Sequence, residues 1–438
     1  MGAFAADFVR GIDANRTLKD ELTAAIQSQS ARRRISVTDL VNPRQAYFRW
    51  TRPDIRPSPD RTQFMLAGTG FHDLFGRAVS TEEFVEQFVE YEGIVGKIDI
   101  YEHVPVELKT TAVLPDTPAA ARPGHIDQLG MYCTMTGVPS GRLLVYRREQ
   151  FGRQGAFRAF RIEFTSRDPI RDEMLRRRDL FREALDRSDP AALPQCEWFG
   201  RNCDYAEICH CDVAPPLARV VPPDGYRIDR DAALEGTLLR QLAGSDPQPR
   251  GFRLNDLVFP RKSLYERQTP PEEEESDSAV EARLRDLERA GFRGTLYKAL
   301  RFGIPGAFRK EPVRLRTLSD RVGMLRDVPT LLRVTKFREM VERGYLPQAF
   351  GHYFDRLAFE CALSGHERGR LVLYYELLGE KFMVYEVGFK DLPAVHAEAD
   401  RRLALLESNA SPLDLPPCPS WMFKLCRFKD RCGCGDAA

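Results

Sequence analysis

The sequence predicts an α/β protein in which one fold occurs twice in tandem. The phrase C-x-x-x-G-x-x-x-G-R-L stands at 133–143 and again at 361–371, with identical spacing. A second phrase, D-L-V-x-P-R, stands at 39–44 and at 256–261. In both halves an apolar helical segment is followed by a turn and then by a strand-like run. The same elements in the same order, found twice, indicate a repeated α/β domain.

The ten cysteines divide five and five between the two copies. Cys133 and Cys361 stand in apolar helical segments, and we expect them to be core residues. The other eight form two local sets, Cys196, Cys203, Cys209 and Cys211, then Cys418, Cys426, Cys432 and Cys434. We therefore expect a first domain over 1–212 and a second over 249–438. The linker predicted between them, 213–248, is rich in the turn-forming dipeptides P-P, D-G and D-P.

Length and composition indicate a soluble globular protein with more than one core. A chain of 438 residues with 43% hydrophobic and 29% charged residues exceeds what one ordinary domain needs. It contains no apolar run of membrane-spanning length and no signal-peptide pattern, so we expect a cytoplasmic protein without a membrane partner. We also expect residues 1–30 to be a polar helix and the acidic stretch 270–278 to be a solvated loop.

The net charge of +1 gives no support to nucleic-acid binding by bulk charge. Local basic surfaces are candidates at Arg32–Arg34 and along the arginine-rich run from Arg142 to Arg187, with Arg176–Arg178 at its centre. The alternative for the longer run is an ordinary solvated helix face.

The stretch 96–111, G-K-I-D-I-Y-E-H-V-P-V-E-L-K-T-T, predicts two strands joined by a tight connection. Residues two apart on a strand share a face, so Glu107 and Lys109 point the same way while Leu108 points into the core. The returning strand can bring Asp99 beside Glu107. Two carboxylates and an ammonium at one end of a hairpin form a candidate site for a hard divalent cation. The alternative is a solvated strand face with an ordinary Glu/Lys pair.

These residues belong to an ordered set: His72, then G-x-x-D at 96–99, E-x-K at 107–109 and Q-x-x-x-Y at 128–132. With a cysteine set at the end of the domain, the set resembles the RecB-like branch of the PD-(D/E)XK nuclease superfamily. By motif it is most similar to CRISPR-associated RecB-type exonucleases and to nuclease domains of bacterial recombination complexes. The resemblance covers residues 35–212 directly. It implies two tandem restriction-endonuclease-like domains, each with a central mixed sheet flanked by helices and closed by a four-cysteine cluster.

The resemblance also implies roles for the first copy. His72, Asp99 and Glu107, with the Leu108 carbonyl, would hold Mg²⁺ or Mn²⁺. Lys109 would position the attacking water and offset the negative charge that develops.

Two further residues of the pattern stand four apart on a predicted helix. Gln128 and Tyr132 would hold Lys109 or its strand in place. The alternative for this pair is a helix face with a buried tyrosine, and for His72 it is a core or surface histidine.

The cysteine sets predict two metal clusters, because thiolates at short spacing hold zinc or iron–sulfur and disulfides are rare in the cytosol. The resemblance implies 4Fe–4S clusters whose upstream ligand stands in a C-P-R phrase. Here that position holds Asn42 and Phe259, and each set has a fourth local cysteine instead. We therefore expect two 4Fe–4S clusters, with two structural Zn²⁺ ions as the alternative, and a role in folding rather than catalysis.

The second copy is predicted to be degenerate. Aligned on the Val-Pro pair that begins each strand, Leu331 and Arg333 take the places of Glu107 and Lys109. Gln128 and Tyr132 are replaced by arginine and glutamate at 356 and 360. Arginine suits a phosphate group, so this copy is expected to grip DNA rather than cut it.

The sequence thus predicts a Mg²⁺- or Mn²⁺-dependent deoxyribonuclease, an exonuclease on DNA ends or single strands, in repair, recombination or CRISPR-type defence. The alternative is a DNA-end-binding scaffold subunit of a larger complex. An RNA-directed nuclease is a third reading. The sequence contains no P-loop, so unwinding would require a helicase partner.

Overall fold

In the computed structural model the chain forms two compact units, each built on one mixed β-sheet. The N-half unit comprises Gln27–Gly244 and Glu274–Leu296, and the C-half unit comprises the remaining three segments, Met1–Ile26, Ser245–Glu273 and Tyr297–Ala438. The structure describes residues 4–27, 34–148, 156–197, 203–243, 251–269, 277–304, 306, 308–419, 422, 426 and 428–434. Within them no helix is long and apolar enough to span a lipid bilayer.

Thirteen strands carry the two sheets. They are β1 Val9–Ala14, β2 Ile35–Ser36, β3 Val85–Tyr91, β4 Ile94–Tyr101, β5 Pro105–Thr111, β6 Ser140–Arg147, β7 Ala156–Phe164, β8 Tyr226–Arg230, β9 Phe308–Leu315, β10 Leu318–Leu325, β11 Val328–Thr335, β12 Arg368–Tyr375 and β13 Phe382–Phe389.

Fourteen α-helices are described. They are α1 Arg16–Gln27, α2 Val37–Val41, α3 Pro43–Thr51, α4 Pro59–Val79, α5 Pro123–Thr136, α6 Asp168–Arg187, α7 Ala206–Cys209, α8 Ala232–Ala243, α9 Leu254–Val258, α10 Pro260–Gln268, α11 Asp277–Gly303, α12 Leu346–Ala349, α13 Gly351–Ser364 and α14 Leu392–Glu407.

The two sheets follow the same path. In the N-half unit the order is β3-β4-β5-β6-β7-β8, with the short β2 also paired to β4; in the C-half unit it is β9-β10-β11-β12-β13-β1. Along both paths the pairings are antiparallel except at the centre, where β5 with β6 and β11 with β12 are parallel. The last strand of each path is antiparallel as well. The predicted α/β class is therefore confirmed.

The repeated C-x-x-x-G-x-x-x-G phrase joins a helix to the sheet in each unit. Cys133 of α5 and Cys361 of α13 are fully buried, as expected for core residues. A Cβ atom on Gly141 of β6 would lie 3.0 Å from Cys133 Sγ, and one on Gly369 of β12 would lie 2.7 Å from Cys361 Sγ. The glycine therefore lets the helix pack directly on the strand that follows it.

The N-terminal segment corrects two predictions, because it is not one helix and it forms part of the C-half unit rather than the N-half unit. Residues 9–14 form β1, which pairs with β13 so that Ile12 lies opposite Val387. The backbone N–H of Asn15 donates to the Val384 carbonyl at 2.8 Å. The physical reason is that β13 would otherwise present an unpaired edge, which this segment covers.

The predicted linker 213–248 is also corrected, since it contains β8 and α8. Ile228 of β8 lies opposite Ile162 of β7, and Leu238 of α8 is buried. The N–H of Asp231 donates to the Ala159 carbonyl at 2.8 Å. This segment thus completes the N-half sheet as β1 completes the C-half sheet.

A third boundary difference lies in α11, whose first part belongs to the N-half unit. Leu284 and Leu287 are buried in a cluster that contains Phe71 and Phe75 of α4. Most of the predicted acidic loop, 270–276, lies outside the described residues. Because this apolar helix face packs on α4, residues 274–296 form part of the N-half unit. The acidic run before the helix hid this apolar face from the sequence analysis.

Both faces of the N-half sheet are covered at its centre. Leu108 of β5 packs into the cluster formed with α4 and α11, while Leu143 and Val145 of β6 pack into the cluster on the α5 side. Because the sheet is covered on both sides, Glu107 is only 2% exposed. The candidate ligand Glu107 is therefore a buried carboxylate.

Candidate active site

The hairpin of β4 and β5 positions the first carboxylate. Ile100 pairs with Val106 across the two antiparallel strands. One carboxylate oxygen of Asp99, Oδ2, accepts a hydrogen bond from the Leu108 backbone N–H at 2.8 Å. This bond ties the side chain of one strand to the backbone of the other, at the residue between the two functional side chains of β5.

Helix α4 brings a histidine to the same carboxylate. The helix begins with Pro59 after a Ser58 cap, whose hydroxyl accepts from the Arg61 N–H at 3.3 Å. His72 lies three turns further along, and its Nδ1 atom is 3.4 Å from Asp99 Oδ1. The structure therefore places His72 at the predicted site, although sequence spacing alone gave it no partner.

A chain of polar contacts runs from β5 to α5. The Lys109 ammonium contacts Glu107 Oε1 and donates to Gln128 Oε1 at 2.8 Å. The Gln128 amide donates to the Tyr132 hydroxyl at 3.3 Å, and that hydroxyl donates to the Lys97 carbonyl at 3.0 Å. Gln128 and Tyr132 meet because residues four apart share a helix face. The structure brings together the whole set predicted on β5 and α5.

Gly96, the first residue of the G-x-x-D phrase, makes room for this chain of contacts. A Cβ atom there would lie 2.8 Å from a ring carbon of Tyr132 and 2.9 Å from Val89. A side chain at this position would displace the tyrosine that ends the contact chain.

The two carboxylates differ in acidity. Burial raises the pKa of Glu107 to about 7, and the Asp99 charge adds to that effect while Lys109 opposes it. Burial also acts to raise the pKa of Asp99, but His72, Lys109 and the Leu108 N–H outweigh it and hold that pKa below its usual value. At neutral pH Asp99 is ionised and Glu107 is close to its midpoint. Two interacting carboxyls in unequal surroundings behave in this way.

The donor atoms fit a hard divalent cation. Glu107 Oε2 and His72 Nε2 are buried and lack a hydrogen-bond partner within the described part of the chain. Buried polar atoms without partners are rare in folded proteins, and a cation satisfies both types. As the side chains stand, no three His, Cys, Asp or Glu residues among those described are arranged as ligands of one ion. One oxygen of Glu107 is engaged by Lys109 instead.

In the C-half unit the corresponding strand, β11, has an apolar residue at the position that matches Glu107. Leu331 lies opposite Leu371 in the parallel pair β11 and β12, just as Glu107 lies opposite Leu143. This register confirms that Leu331 and Arg333 hold the places of Glu107 and Lys109. Leu331 is 4% exposed and belongs to the hydrophobic core.

The predicted phosphate-gripping arginine of α13 faces inward. Arg356 donates to Glu360 Oε1 at 2.6 Å and to Asp320 Oδ2 at 3.3 Å, and its side chain is only 11% exposed. Asp320 also accepts from the Leu254 N–H at 3.0 Å. The guanidinium of Arg333 stacks over the Tyr353 ring at 5.6 Å. Arg356 therefore neutralises buried carboxylates, which corrects the expectation that it reaches out to DNA.

The first cysteine set comes together at the end of the N-half unit. The sulfur atoms of Cys209 and Cys211 are 2.9 Å apart. Burial, followed by the charges of the other cysteines, raises the pKa of Cys196, and burial with Cys211 raises that of Cys209 to about 12. All ten cysteines are free thiols. Neighbouring thiols that resist ionisation are a donor set that a thiophilic metal stabilises in the thiolate form.

The second set forms one small cluster around Phe428, made of Cys418, Cys426, Cys432 and Cys434. The Cys418 N–H lies 3.4 Å from Cys434 Sγ. Burial and the neighbouring Cys434 raise the pKa of Cys418 to about 12. The donor chemistry of this set matches that of the first.

Two buried arginines, which the sequence reading missed, hold the cysteine segments. Arg44 donates to the Cys209 carbonyl at 2.7 and 2.9 Å, and Arg261 donates to the Cys432 carbonyl at 2.7 Å. They are the arginines of the N-P-R and F-P-R phrases. Asn42, at the position where the resemblance implies a cysteine, accepts a hydrogen bond from the Glu197 N–H at 2.8 Å beside Cys196. The recurrence of P-R before both cysteine sets was the signal that could have identified them.

The arginine run at 176–178 does not form an open basic surface. Arg177 is 1% exposed, donates to the Leu40 carbonyl at 2.8 Å and pairs with Glu173. Arg176 pairs with the same glutamate, and Arg178 pairs with the aspartate that follows it. The run is thus largely neutralised within its own helix. Most of the shorter run at 32–34 lies outside the described residues.

Comparison with known proteins does not assign the chain to a family. No protein-family profile matches the chain, and no curated protein matches it. A solved structure described as "Crystal structure of SSO0001" is 16% identical, spans 45% of this chain and 96% of its own, and superposes with a TM-score of 0.31.

Proposed function

We propose that the N-half unit is a PD-(D/E)XK domain and that the protein is a Mg²⁺- or Mn²⁺-dependent DNA nuclease acting on ends or single strands. One observation carries the proposal. A histidine–aspartate contact and a Glu-Lys-Gln-Tyr contact chain meet on a single hairpin, in the order that the resemblance requires.

In this proposal His72, Asp99 and Glu107 would hold the cation, which supplies Lewis acidity at the scissile phosphate and to a bound water. Lys109 orients the attacking water by hydrogen bonding and offsets charge that develops on the phosphate. Gln128 holds the ammonium of Lys109 by accepting a hydrogen bond from it. Because Asp99 stays ionised, it keeps a fixed negative charge between the histidine and β5.

The decisive experiment replaces Lys109 with alanine and Glu107 with glutamine. Each should lower single-turnover cleavage of a labelled single strand by about 10³-fold or more, as loss of a positioned catalytic group does. Arg333→Ala, at the matching position of the C-half unit, should leave cleavage within about twofold. Wild-type cleavage by a folded Lys109→Ala protein would exclude this active site.

The alternative function, a DNA-end-binding scaffold, is favoured by one observation. The C-half unit keeps the sheet but has Leu331 where a ligand would stand. Cleavage that requires Mg²⁺ or Mn²⁺ and stops with EDTA favours the nuclease. Binding of DNA ends without any metal-dependent cleavage favours the scaffold, and preference for an RNA strand would support the RNA-directed reading.

For the cysteines we propose two 4Fe–4S clusters, with two structural zinc ions as the alternative. Protein purified without oxygen should be brown and contain iron in proportion to two sites. Colourless protein with two equivalents of zinc would decide for zinc. A reducing cytoplasm suits ten free thiols, and we place the protein there in this proposal.

We also propose that the two units arose by tandem duplication. Glu173 bonds Arg176 and Arg177 on α6, and on α14 Glu398 bonds the arginines at 401 and 402 with the same spacing and similar distances. Arg177 and its counterpart then both donate at 2.8 Å to a leucine carbonyl of the D-L-V phrase. Chance does not readily reproduce such a buried network.

The duplication extends to the strands that close the sheets. The sequence I-D-A-N-R-T-L from Ile12 corresponds to I-D-R-D-A-A-L from Ile228, and the runs begin 27 and 28 residues before the D-L-V phrases of their copies, at 39 and 256. In each run the fourth residue accepts, through a side-chain oxygen, a hydrogen bond from the leucine N–H three residues on. Each repeat thus donates its first strand and helix to the sheet of the other repeat.

A further inference from the structure

A cavity of about 190 Å³ opens beside the candidate active site. This is many times the roughly 10–15 Å³ that a single water needs, and it is below the usual range for a large ligand. Its lining is Thr111, Val113, Leu114, Pro115, Ala120, Arg122, His125 and Val145.

The cavity lies on the face of the sheet that carries Lys109. Thr111 is two residues further along β5, so its side chain shares the face of Lys109. Val145 is directly paired with Lys109 across β5 and β6. His125 is one turn before Gln128 on α5, which holds the Lys109 ammonium. A ligand in the cavity is therefore next to the group proposed to act on the scissile phosphate.

The chemistry of the lining combines apolar walls with positive charge. Five of its eight residues are apolar, and none is acidic. Arg122 is the N-cap residue of the 14-residue helix α5, and His125 lies in the first turn of that helix. Burial, together with the charges of Lys109 and Arg122, holds the pKa of His125 well below its ordinary value. His125 is therefore neutral and available as a hydrogen-bond donor.

We propose that this cavity binds the nucleotide of a single strand that flanks the scissile phosphate, with its base between the apolar walls and its phosphate beside Arg122 and His125. The inference rests on the proposed function and adds to it a requirement for an unpaired base. A base in a duplex cannot enter a cavity, so a double-stranded substrate must fray before it is cut.

The test fills the cavity from its rim. Ala120 lines the cavity and is exposed, so Ala120→Trp blocks the space without disturbing the core. Ala119, its neighbour, is outside the lining, and Ala119→Trp is the matched control. With a fluorescent oligothymidylate in EDTA, Ala120→Trp should weaken binding by about tenfold, because the base loses its contacts with the apolar walls, and Ala119→Trp should not change it.

A substrate scan locates the base. Single abasic residues are moved along the oligothymidylate, and single-turnover cleavage is measured with Mg²⁺. Wild-type protein should show a loss of about tenfold at one position next to the cut bond. In Ala120→Trp that position should no longer matter. His125→Ala should weaken binding severalfold, whereas His103→Ala, which removes an exposed turn histidine, should not.

The outcomes separate the two proposals. If wild-type protein cleaves normally and neither Ala120→Trp nor the abasic scan has an effect, the cavity inference is wrong and the nuclease proposal stands. If wild-type protein neither binds nor cleaves any oligonucleotide, both are wrong.

Discussion

The central strands of the two units, β5 and β11, hold the same place in their sheets but carry different chemistry. β5 presents Glu107 and Lys109 toward α5, whereas β11 presents Leu331 and Arg333 at the matching positions. The surrounding strand order and hydrogen-bond register are the same. The fold therefore does not depend on the polar set, and that set needs an explanation other than stability.

The two units also differ in how they neutralise buried acid. In the N-half unit a flexible lysine lies between Glu107 and Gln128, in a position to exchange partners. In the C-half unit Arg356 is bonded to Glu360 and Asp320 from one fixed, planar group. One buried carboxylate oxygen in each unit, Glu107 Oε2 and Glu360 Oε2, has no partner within the described residues. The lysine of the N-half unit can therefore change its hydrogen-bond partners, whereas the arginine of the C-half unit holds its carboxylates in one arrangement.

Replacing Arg356 should produce the largest difference in unfolding free energy between the two units. Arg356→Met leaves two buried carboxylates without their cation, and the C-half unit should lose about 3–5 kcal/mol of unfolding free energy. Gln128→Met, at the matching position of α5, removes neutral hydrogen bonds and should cost about 1 kcal/mol. Urea unfolding followed by hydrogen exchange in each unit measures both. Equal costs would mean that Arg356 is not the cation that stabilises its unit.

The two buried arginines before the cysteine sets should behave alike. Arg44→Met and Arg261→Met each leave several buried carbonyls without donors, and each should cost about 3 kcal/mol in its own unit. Metal content of the purified variants is the second measurement, and each should lose about half. If one of these two substitutions had a large effect and the other had none, the two cysteine segments would not be held in the same way.

A pH dependence should distinguish the N-half unit. The folded pKa of Glu107 is about 7 against an ordinary value of 4.5, so the unfolded chain releases this proton first as pH rises. Metal-free protein should therefore lose stability between about pH 4.5 and pH 7, by roughly 3 kcal/mol at most. Glu107→Gln should remove that loss, becoming more stable than wild type above pH 7 and similar below pH 4.5.

The matching residue of the C-half unit, Leu331, does not titrate, so Glu107→Gln should leave the pH dependence of that unit unchanged. Unfolding curves from pH 4 to pH 8 in the presence of EDTA, with and without the substitution, provide the check. Identical pH profiles for wild type and Glu107→Gln would mean that the carboxyl is not protonated in the fold.

The smallest effect tests which strand serves which unit. Ile12 and Ile228 are half-buried at matching positions of β1 and β8. Ile12→Ala should cost about 1 kcal/mol and accelerate amide exchange in β13, while Ile228→Ala should do the same in β7. If Ile12→Ala instead accelerated amide exchange in β7, or Ile228→Ala in β13, the assignment of β1 to the C-half sheet and of β8 to the N-half sheet would be wrong.

Sequence reasoning identified the hairpin, the residues that meet on it and the strand that carries Leu331 and Arg333, because these depend on local alternation and short spacing. It could not find the cavity beside His125, whose walls come from separate segments. It also took β8 and α8 for a linker, because proline and glycine dipeptides precede them and their partner strand ends some 60 residues earlier, at Phe164. The arginines of the P-R phrases were overlooked because arginine is not expected in a core.

The pairing of β1 with β13 also determines how long the N-terminal strand stays unpaired during translation. Asn15 and its partner Glu386 are 371 residues apart. At usual translation rates of 5–20 residues per second, β1 waits between about 20 and 75 s for its partner strand to be made. During that time Leu18 and Leu22 of α1, which are buried in the finished protein, have no place to pack. The first strand therefore stays unpaired until β13 has been made, and a chain that ends before β13 cannot complete its C-half sheet.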